Sequence, residues 1–225
     1  MSTVTYHDTE QGSDEWFELR CGCLTASTVH QLVTPTLKVS ANDKSRALAN
    51  KVAVQRVSQI PEESVTTERM LRGHIDEDIA RTIYGQKRDP VREVGFITNK
   101  KYPNFGYSPD GLVGQDGLIE VKSRDPHLQF STILSSDVPN QYMAQIQTGL
   151  LISEREWCDF ISFSHGLPMM MARVWPDHEW QEAIKRAYHD FEITVSKMIT
   201  NYQDIVSDTQ VFIPTERVNY EGMML

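Results

Sequence analysis

The chain has 225 residues, 40% hydrophobic and 24% charged, with a formal net charge of −9 at pH 7. That is an ordinary globular composition, long enough to bury a core without staples. The acidic balance argues against a general DNA-coating protein, which would be basic, but not against an enzyme that holds DNA in a local basic channel.

The N-terminal MSTVTYHDTEQ is polar and lacks the apolar core of a signal peptide. No apolar run is long enough for a membrane helix, so the expected location is the cytoplasm, without membrane contact. SDEWFELRCG predicts a short helix, with Ser13 as N-cap and Gly22 just past its end. TASTVHQLV predicts a second, opening between Thr25 and Ser27. Residues 43–58 and 67–84 carry apolar positions at helical spacing, the latter (Ile75, Ile79, Ile83, Tyr84) stopped by Gly85.

The texture then changes. VREVGFIT, NFGYSPD and GLIEVKS are short and β-rich, with glycine turns between them. PNQYMAQIQTGLLIS returns to helix. EWCDFISFS and MMMARVWP read as strands joined by the HGLP turn, and residues 177–201 as a long amphipathic helix. The tail, about 203–225, shows no clear pattern. No repeat or linker divides the chain, so residues 1–225 are expected to form one domain. The fold class is α/β, with α+β as the alternative: a central mixed sheet flanked by helices.

The three cysteines, Cys21, Cys23 and Cys158, form no disulfide framework and are too few for an iron–sulfur cluster. The seven histidines lack zinc-ligand spacing. The chemistry concentrates instead in FGYSPDGLVGQDGLIEVKS, residues 105–123. In Ile119-Glu120-Val121-Lys122 the two charged residues share one strand face, and the apolar pair takes the other, core face. A hairpin turning through Gly111, Gly114 and Gly117 can bring Asp110 beside Glu120. Two hard carboxylates and a lysine suit Mg²⁺-dependent phosphodiester hydrolysis. A polar hairpin with surface ion pairs is the competing reading.

Two further residues matter in sequence order. Glu77 lies in RGHIDEDIARTIYG, off the centre of its apolar stripe, and Gln145 lies in NQYMAQIQTGLLI, a helix too apolar for a surface rod. Taken singly, Glu77 reads as a solvated acid, Gln145 as a half-buried amide and Gln147 as packing. Jointly, a helical glutamate, S-P-D-G, E-V-K on a strand and Y-M-A-Q-I-Q opening a helix resemble the lambda exonuclease family. These are the YqaJ-like viral recombinases and phage alkaline exonucleases of the PD-(D/E)xK nuclease superfamily. The stretch W-F-E-L-R-C-G-C-L-T-A-S, Trp16 to Ser27, is similar to that family's W-x-x-L-R-x-G-x-x-T-A-S. The motifs span residues 16 to about 150.

The resemblance implies a restriction-endonuclease-like core. Asp110 and Glu120 would be the main Mg²⁺ ligands, with the backbone carbonyl of Val121 as an extra oxygen and Glu77 joining directly or through water. Two ions are expected, and Mn²⁺ can substitute. Lys122 would position the nucleophilic water beside Gln145. Arg20, Ser27 and Ser108 would hold a 5′-phosphate, by a guanidinium fork and by a helix N-terminus. Met70 and Leu71 would separate the terminal base pair, with packing against the core as the alternative. The family pattern has a further basic residue soon after a proline; here Pro35 is followed by Thr36, then Lys38, so the rest of that pocket stays open.

The implied activity is processive 5′→3′ digestion of duplex DNA, releasing 5′-mononucleotides and leaving 3′ overhangs. The implied assembly is a homotrimeric ring, acting in a bacterial host with a phage single-strand annealing protein and encoded by a phage or prophage. A structure-specific or restriction-type endonuclease could use the same hairpin, and an inactive DNA-binding or assembly module is the reading of another class.

Overall fold

The computed structural model describes residues 2–61 and 67–216. The first of two sheets has the order β1 (Val4–His7), β4 (Phe96–Asn99), β5 (Phe105–Tyr107), β2 (Leu24–Thr25). Its β2–β5 pair is parallel and its other pairs are antiparallel. The second has the order β3 (Val91–Arg92), β6 (Gly111–Val113), β7 (Gly117–Ser123), β8 (Trp157–Phe163), β9 (Met170–Val174), with only β7–β8 parallel.

The single central sheet expected from the sequence is thus two mixed sheets. The break falls at Ser108-Pro109-Asp110, between β5 and β6. Proline has no N–H to continue a ladder. The chain leaves one sheet at Tyr107 and enters the other at Gly111, so the S-P-D motif lies where the sheets meet.

Six α-helices surround the sheets among the described residues: α1 (Asp14–Arg20), α2 (Asp43–Ser58), α3 (Glu68–Lys87), α4 (Pro126–Ser135), α5 (Met143–Ser153) and α6 (His178–Val206). Ser13, Asn42, Thr67 and Asp177 each cap a helix start through the side chain, which satisfies otherwise orphaned N–H groups. The predicted α1, α2, α5 and α6 are present. TASTVHQLV instead forms a 3-10 turn over Ala26–Gln31. Helix α3 runs through Gly85 to Lys87, because Tyr84, buried and hydrogen-bonded to Asp159, anchors its last turn. That contact outweighs the roughly 1 kcal/mol helix cost of glycine. No helix among the described residues is long and apolar enough to cross a membrane.

Strand β7 is the middle of the second sheet and is buried on both faces, rather than half-solvated. Ile119 and Val121 pack with Ala80 and Tyr84 of α3, while Leu118 joins the main core with Cys158, Phe160 and α5. Between β7 and β8 the chain passes through α4 and α5, a crossover that lets the two strands run parallel. Gly114, at φ +53°, turns the β6–β7 hairpin, and Arg155 donates to the carbonyls of Gly114 and Gly117 at 3.2 and 2.6 Å.

Gly149 of α5 lets the Tyr107 ring lie against the helix: a Cβ there would stand 2.7 Å from the ring. Gly149→Ala is expected to lower stability by about 1–3 kcal/mol through overpacking, despite better helix propensity. A urea-denaturation midpoint equal to wild type would show instead that the ring yields.

Candidate active site

The register of the β6–β7 hairpin pairs Gly111 with Ile119, and extending it by one residue sets Asp110 opposite Glu120. Asp110 Oδ2 accepts the Val121 N–H at 2.6 Å. Glu120 is fully buried. Its Oε1 accepts from Lys122 Nζ at 2.6 Å and from Gln145 Nε2 at 2.5 Å, and its Oε2 accepts from the Tyr107 hydroxyl at 3.0 Å. Lys122 Nζ also donates to Gln145 Oε1 at 3.2 Å and lies 5.6 Å from the centroid of the Tyr142 ring. Asp110, Glu120, Lys122 and Gln145 are therefore one cluster, fed by the β6–β7 hairpin and α5.

Glu77 projects from α3 into a cavity of about 520 Å³ that Asp110 also lines. It is half-buried, and its Oε1 pairs with Arg81 at 2.6 Å, one turn further on. Burial raises the Glu77 carboxyl against the pull of Arg81, and the Glu120 charge adds to the rise. Asp110 is raised well above the ordinary carboxylate range, first by burial, then by the charges of Glu120 and Glu77. Burial opposes the Lys122 ammonium, but Glu120 and Asp110 outweigh it and keep the lysine protonated.

Among the described residues, no three carboxylate, imidazole or thiolate groups stand close enough to enclose an ion as placed. Glu120 is held by Lys122, Gln145 and Tyr107, and Glu77 by Arg81. The oxygen donors are nonetheless the hard type that Mg²⁺ takes. Carboxylates that raise one another are also those a divalent cation relieves. Asp110 and Glu120 could hold such an ion, with Glu77 turned in from the cavity wall.

The Arg20–Ser108 pair is also assembled. Arg20 donates to Ser108 Oγ at 2.8 Å and lies over the Trp16 ring, 3.9 Å from its centroid. Trp16 Nε1 donates to Ser108 Oγ at 3.1 Å. Burial lowers Arg20 to about 10, which leaves it charged at neutral pH. Arg20 lines a cavity of about 590 Å³ together with Thr25, Thr28, Lys51, Met70 and His74. Ser27 is exposed, with its Oγ 3.2 Å from Thr25 Oγ1, and it belongs to a 3-10 turn whose N-cap is Thr25. The α-helical N-terminus expected at Ser27 is therefore absent. Met70 and Leu71 are 43% and 53% exposed in the first turn of α3, so neither packs into the core.

Several residues escaped the sequence reading. The basic residue on the Arg20 cavity is Lys51 of α2, whereas Lys38 lies in the turn closed by the Val33–Val39 bridge. Tyr107 holds Glu120. The buried stripe of α3 is Asp76, Ala80 and Tyr84, with Ile79 and Ile83 partly buried beside it; of the predicted apolar positions only Ile75, 59% exposed, stands outside.

A buried acid–acid–lysine cluster on a strand hairpin, fed by two mixed sheets and flanking helices, defines a nuclease-type α/β fold. Residues 15–156 match the model of the YqaJ-like viral recombinase domain, and the chain belongs to that family. No curated protein matches it. Among solved structures it resembles LHK-Exo in complex with dAMP, at 29% identity and TM-score 0.78, over 87% of this chain and 98% of that one. It likewise resembles an alkaline exonuclease (LHK-Exo) from Laribacter hongkongensis, at 28% identity and TM-score 0.77 over the same shares. A phage-related exonuclease from Haemophilus somnus 129PT shares the fold, at 12% identity and TM-score 0.57, over 80% of this chain and 96% of that one.

The raised Asp110 carboxyl sets a stability signature. Between its ordinary value of 3.8 and its folded value, the folded state binds more protons than the unfolded, so ionisation destabilises the metal-free fold as pH rises. Asp110→Asn, which can still accept the Val121 N–H, is expected to melt above wild type in chelator. The gap should widen as pH rises above about 4. A gap independent of pH would contradict this.

Proposed function

We propose that the chain is a Mg²⁺-dependent, processive 5′→3′ exonuclease on double-stranded DNA, releasing 5′-mononucleotides and leaving 3′ overhangs for phage-type recombination. Membership of the YqaJ-like family and the likeness to an alkaline exonuclease support a nuclease of this type. The observation that carries the reading is the cluster of Asp110, Glu120, Lys122 and Gln145, in which Glu120 bonds to Lys122 and Gln145 and Asp110 to the Val121 N–H, with Glu77 on the adjoining cavity.

Asp110, Glu120 and the carbonyl of Val121 would hold the metal, and Glu77 would complete the set directly or through water; one or two Mg²⁺ ions would supply Lewis-acid charge at the phosphate, with Mn²⁺ as a substitute. Lys122 is fixed between Glu120 and Gln145. A donor held so firmly costs little reorganisation as charge develops, so it can orient the attacking water and stabilise the phosphoryl oxygens. Gln145, bonded to both Glu120 and Lys122, keeps the ammonium from swinging away. Burial of Glu120 excludes solvent from this side of the site.

At the other end of the site, Arg20, Ser108 and Ser27 would receive the 5′-phosphate of the digested strand. The Arg20 guanidinium is already stacked on Trp16 and needs no ordering on binding. Met70 and Leu71, exposed in the first turn of α3, would part the terminal base pair. The proposed assembly is a homotrimer of single-domain chains, working in the cytoplasm of a bacterial host beside a phage annealing protein.

The test compares linear duplex DNA, with and without a 5′-phosphate, against covalently closed circles, in Mg²⁺ and in chelator. Mononucleotide release from linear DNA alone is expected. Lys122→Ala should slow it by at least about a hundredfold. Arg20→Ala should erase the preference for phosphorylated ends while sparing hydroxyl ends. Cleavage of closed circles would replace this reading with an endonuclease, and binding without hydrolysis would replace it with an inactive module.

A further inference from the structure

Among the described residues, Arg81 is the only arginine or lysine that lines the Glu77 cavity, whose wall includes Asp8, Glu10, Asp78, Glu93 and Asp110. Its side chain is only 13% exposed, while those of Asp78 and Glu93 are 74% and 73% exposed. One end of its fork meets Glu93, in the loop between β3 and β4. The other lies 2.6 Å from Glu77 Oε1 and 3.5 Å from Asp78 Oδ1. Glu77 is the least exposed of these three partners, and its charge acts on Asp110.

The same carboxylate therefore has two claims on it. It pairs with a guanidinium here, and it is the acid best placed to join Asp110 and Glu120 around a divalent cation. A charge-assisted pair between partly buried groups is strong enough to compete with a ligand bond. Exposed Glu93 fixes the guanidinium from the solvent side, so Arg81 cannot swing away from Glu77 at no cost.

We infer that Arg81 is a positioning residue that acts as a built-in placeholder cation: it occupies Glu77 until a divalent cation displaces it, and so weakens the resting affinity of the site for that cation. The inference rests on the metal site proposed above and deepens it. Glu77 becomes the adjustable ligand and Asp110–Glu120 the fixed pair. Charge balance gives the arrangement its use. The cavity stays partly neutralised when empty.

The experiment titrates Mn²⁺ into the full chain without DNA, by calorimetry, for wild type, Arg81→Gln, Arg81→Lys, Glu77→Gln and the Glu77→Gln/Arg81→Gln double variant. Circular dichroism checks the fold of each. Arg81→Gln is expected to tighten Mn²⁺ binding by about tenfold, on the scale of one charge-assisted hydrogen bond, with Arg81→Lys in between. In the Glu77→Gln background, Arg81→Gln should change affinity little, because the competition acts through Glu77. A purely structural arginine would give the opposite sign, weaker binding and a lower melting temperature. Unchanged or weaker binding in Arg81→Gln overturns the placeholder, as does equal tightening in both backgrounds, which would be simple charge removal. If Arg81→Gln fails to fold, Arg81→Lys carries the test: tightening that is lost in a Glu77→Gln/Arg81→Lys double variant supports the inference, and none overturns it. Absence of Mn²⁺ binding to wild type overturns the metal site and this inference together, whereas wild-type binding with the wrong Arg81 response overturns this inference alone.

Discussion

The buried carboxylate of Glu120 is the constraint around which the rest of the molecule is arranged. An ionised carboxylate without water must be paired and hydrogen-bonded, and removing one partner of such a pair costs roughly 3–5 kcal/mol. Its partners come from three different elements: Lys122 from its own strand, Gln145 from α5 and Tyr107 from β5 of the other sheet. Satisfying one charge thus ties the two sheets and the crossover helix into a single geometry. The lysine that a hydrolase would aim at phosphate is held by the same bonds that keep the fold from tolerating a buried acid.

The junction between the sheets follows from this. Tyr107 must end β5 pointing at Glu120, and Asp110 must stand just before the next strand, opposite Glu120. Between them lie Ser108, which turns to Arg20, and Pro109, which ends the ladder. Three residues therefore divide the work: Ser108 meets Arg20, Pro109 breaks the sheet, and Asp110 lines the acidic cavity. Gly149 permits the close approach of Tyr107 that makes the arrangement dense.

Helix α3 shows where local pattern misleads. Asp76, Glu77 and Asp78 are chemically alike in sequence, yet their fates differ. Asp76 is buried, accepts from Ser123 Oγ, and has His165 Nε2 2.8 Å from its other oxygen. Glu77 is half-buried on Arg81, and Asp78 is exposed. Helical periodicity alone places Ile75 inward with Ile79 and Ile83, and only the latter two pack against the core. The β7 end and the turn after β8 supply polar partners for Asp76, and these turn the helix by enough to leave Ile75 in water.

The sequence by itself determined what depends on short-range periodicity and chain stereochemistry. Strand alternation puts Glu120 and Lys122 on one face, glycines allow the hairpin that faces Asp110 to Glu120, and Ser13 starts α1. Motif order pointed to the YqaJ-like family, and to Arg20 with Ser108. Tertiary structure alone decided what depends on packing between distant segments: the split into two sheets, the burial of β7 on both faces, and the clamp of Tyr107 on Glu120. It also decided that Lys51 rather than Lys38 lines the Arg20 cavity, and that Arg81 lies between Glu77 and Glu93. Each of these outcomes is a choice of partner for a charge or an apolar face. Such choices depend on which elements arrive beside it, and the local pattern of residues does not encode that.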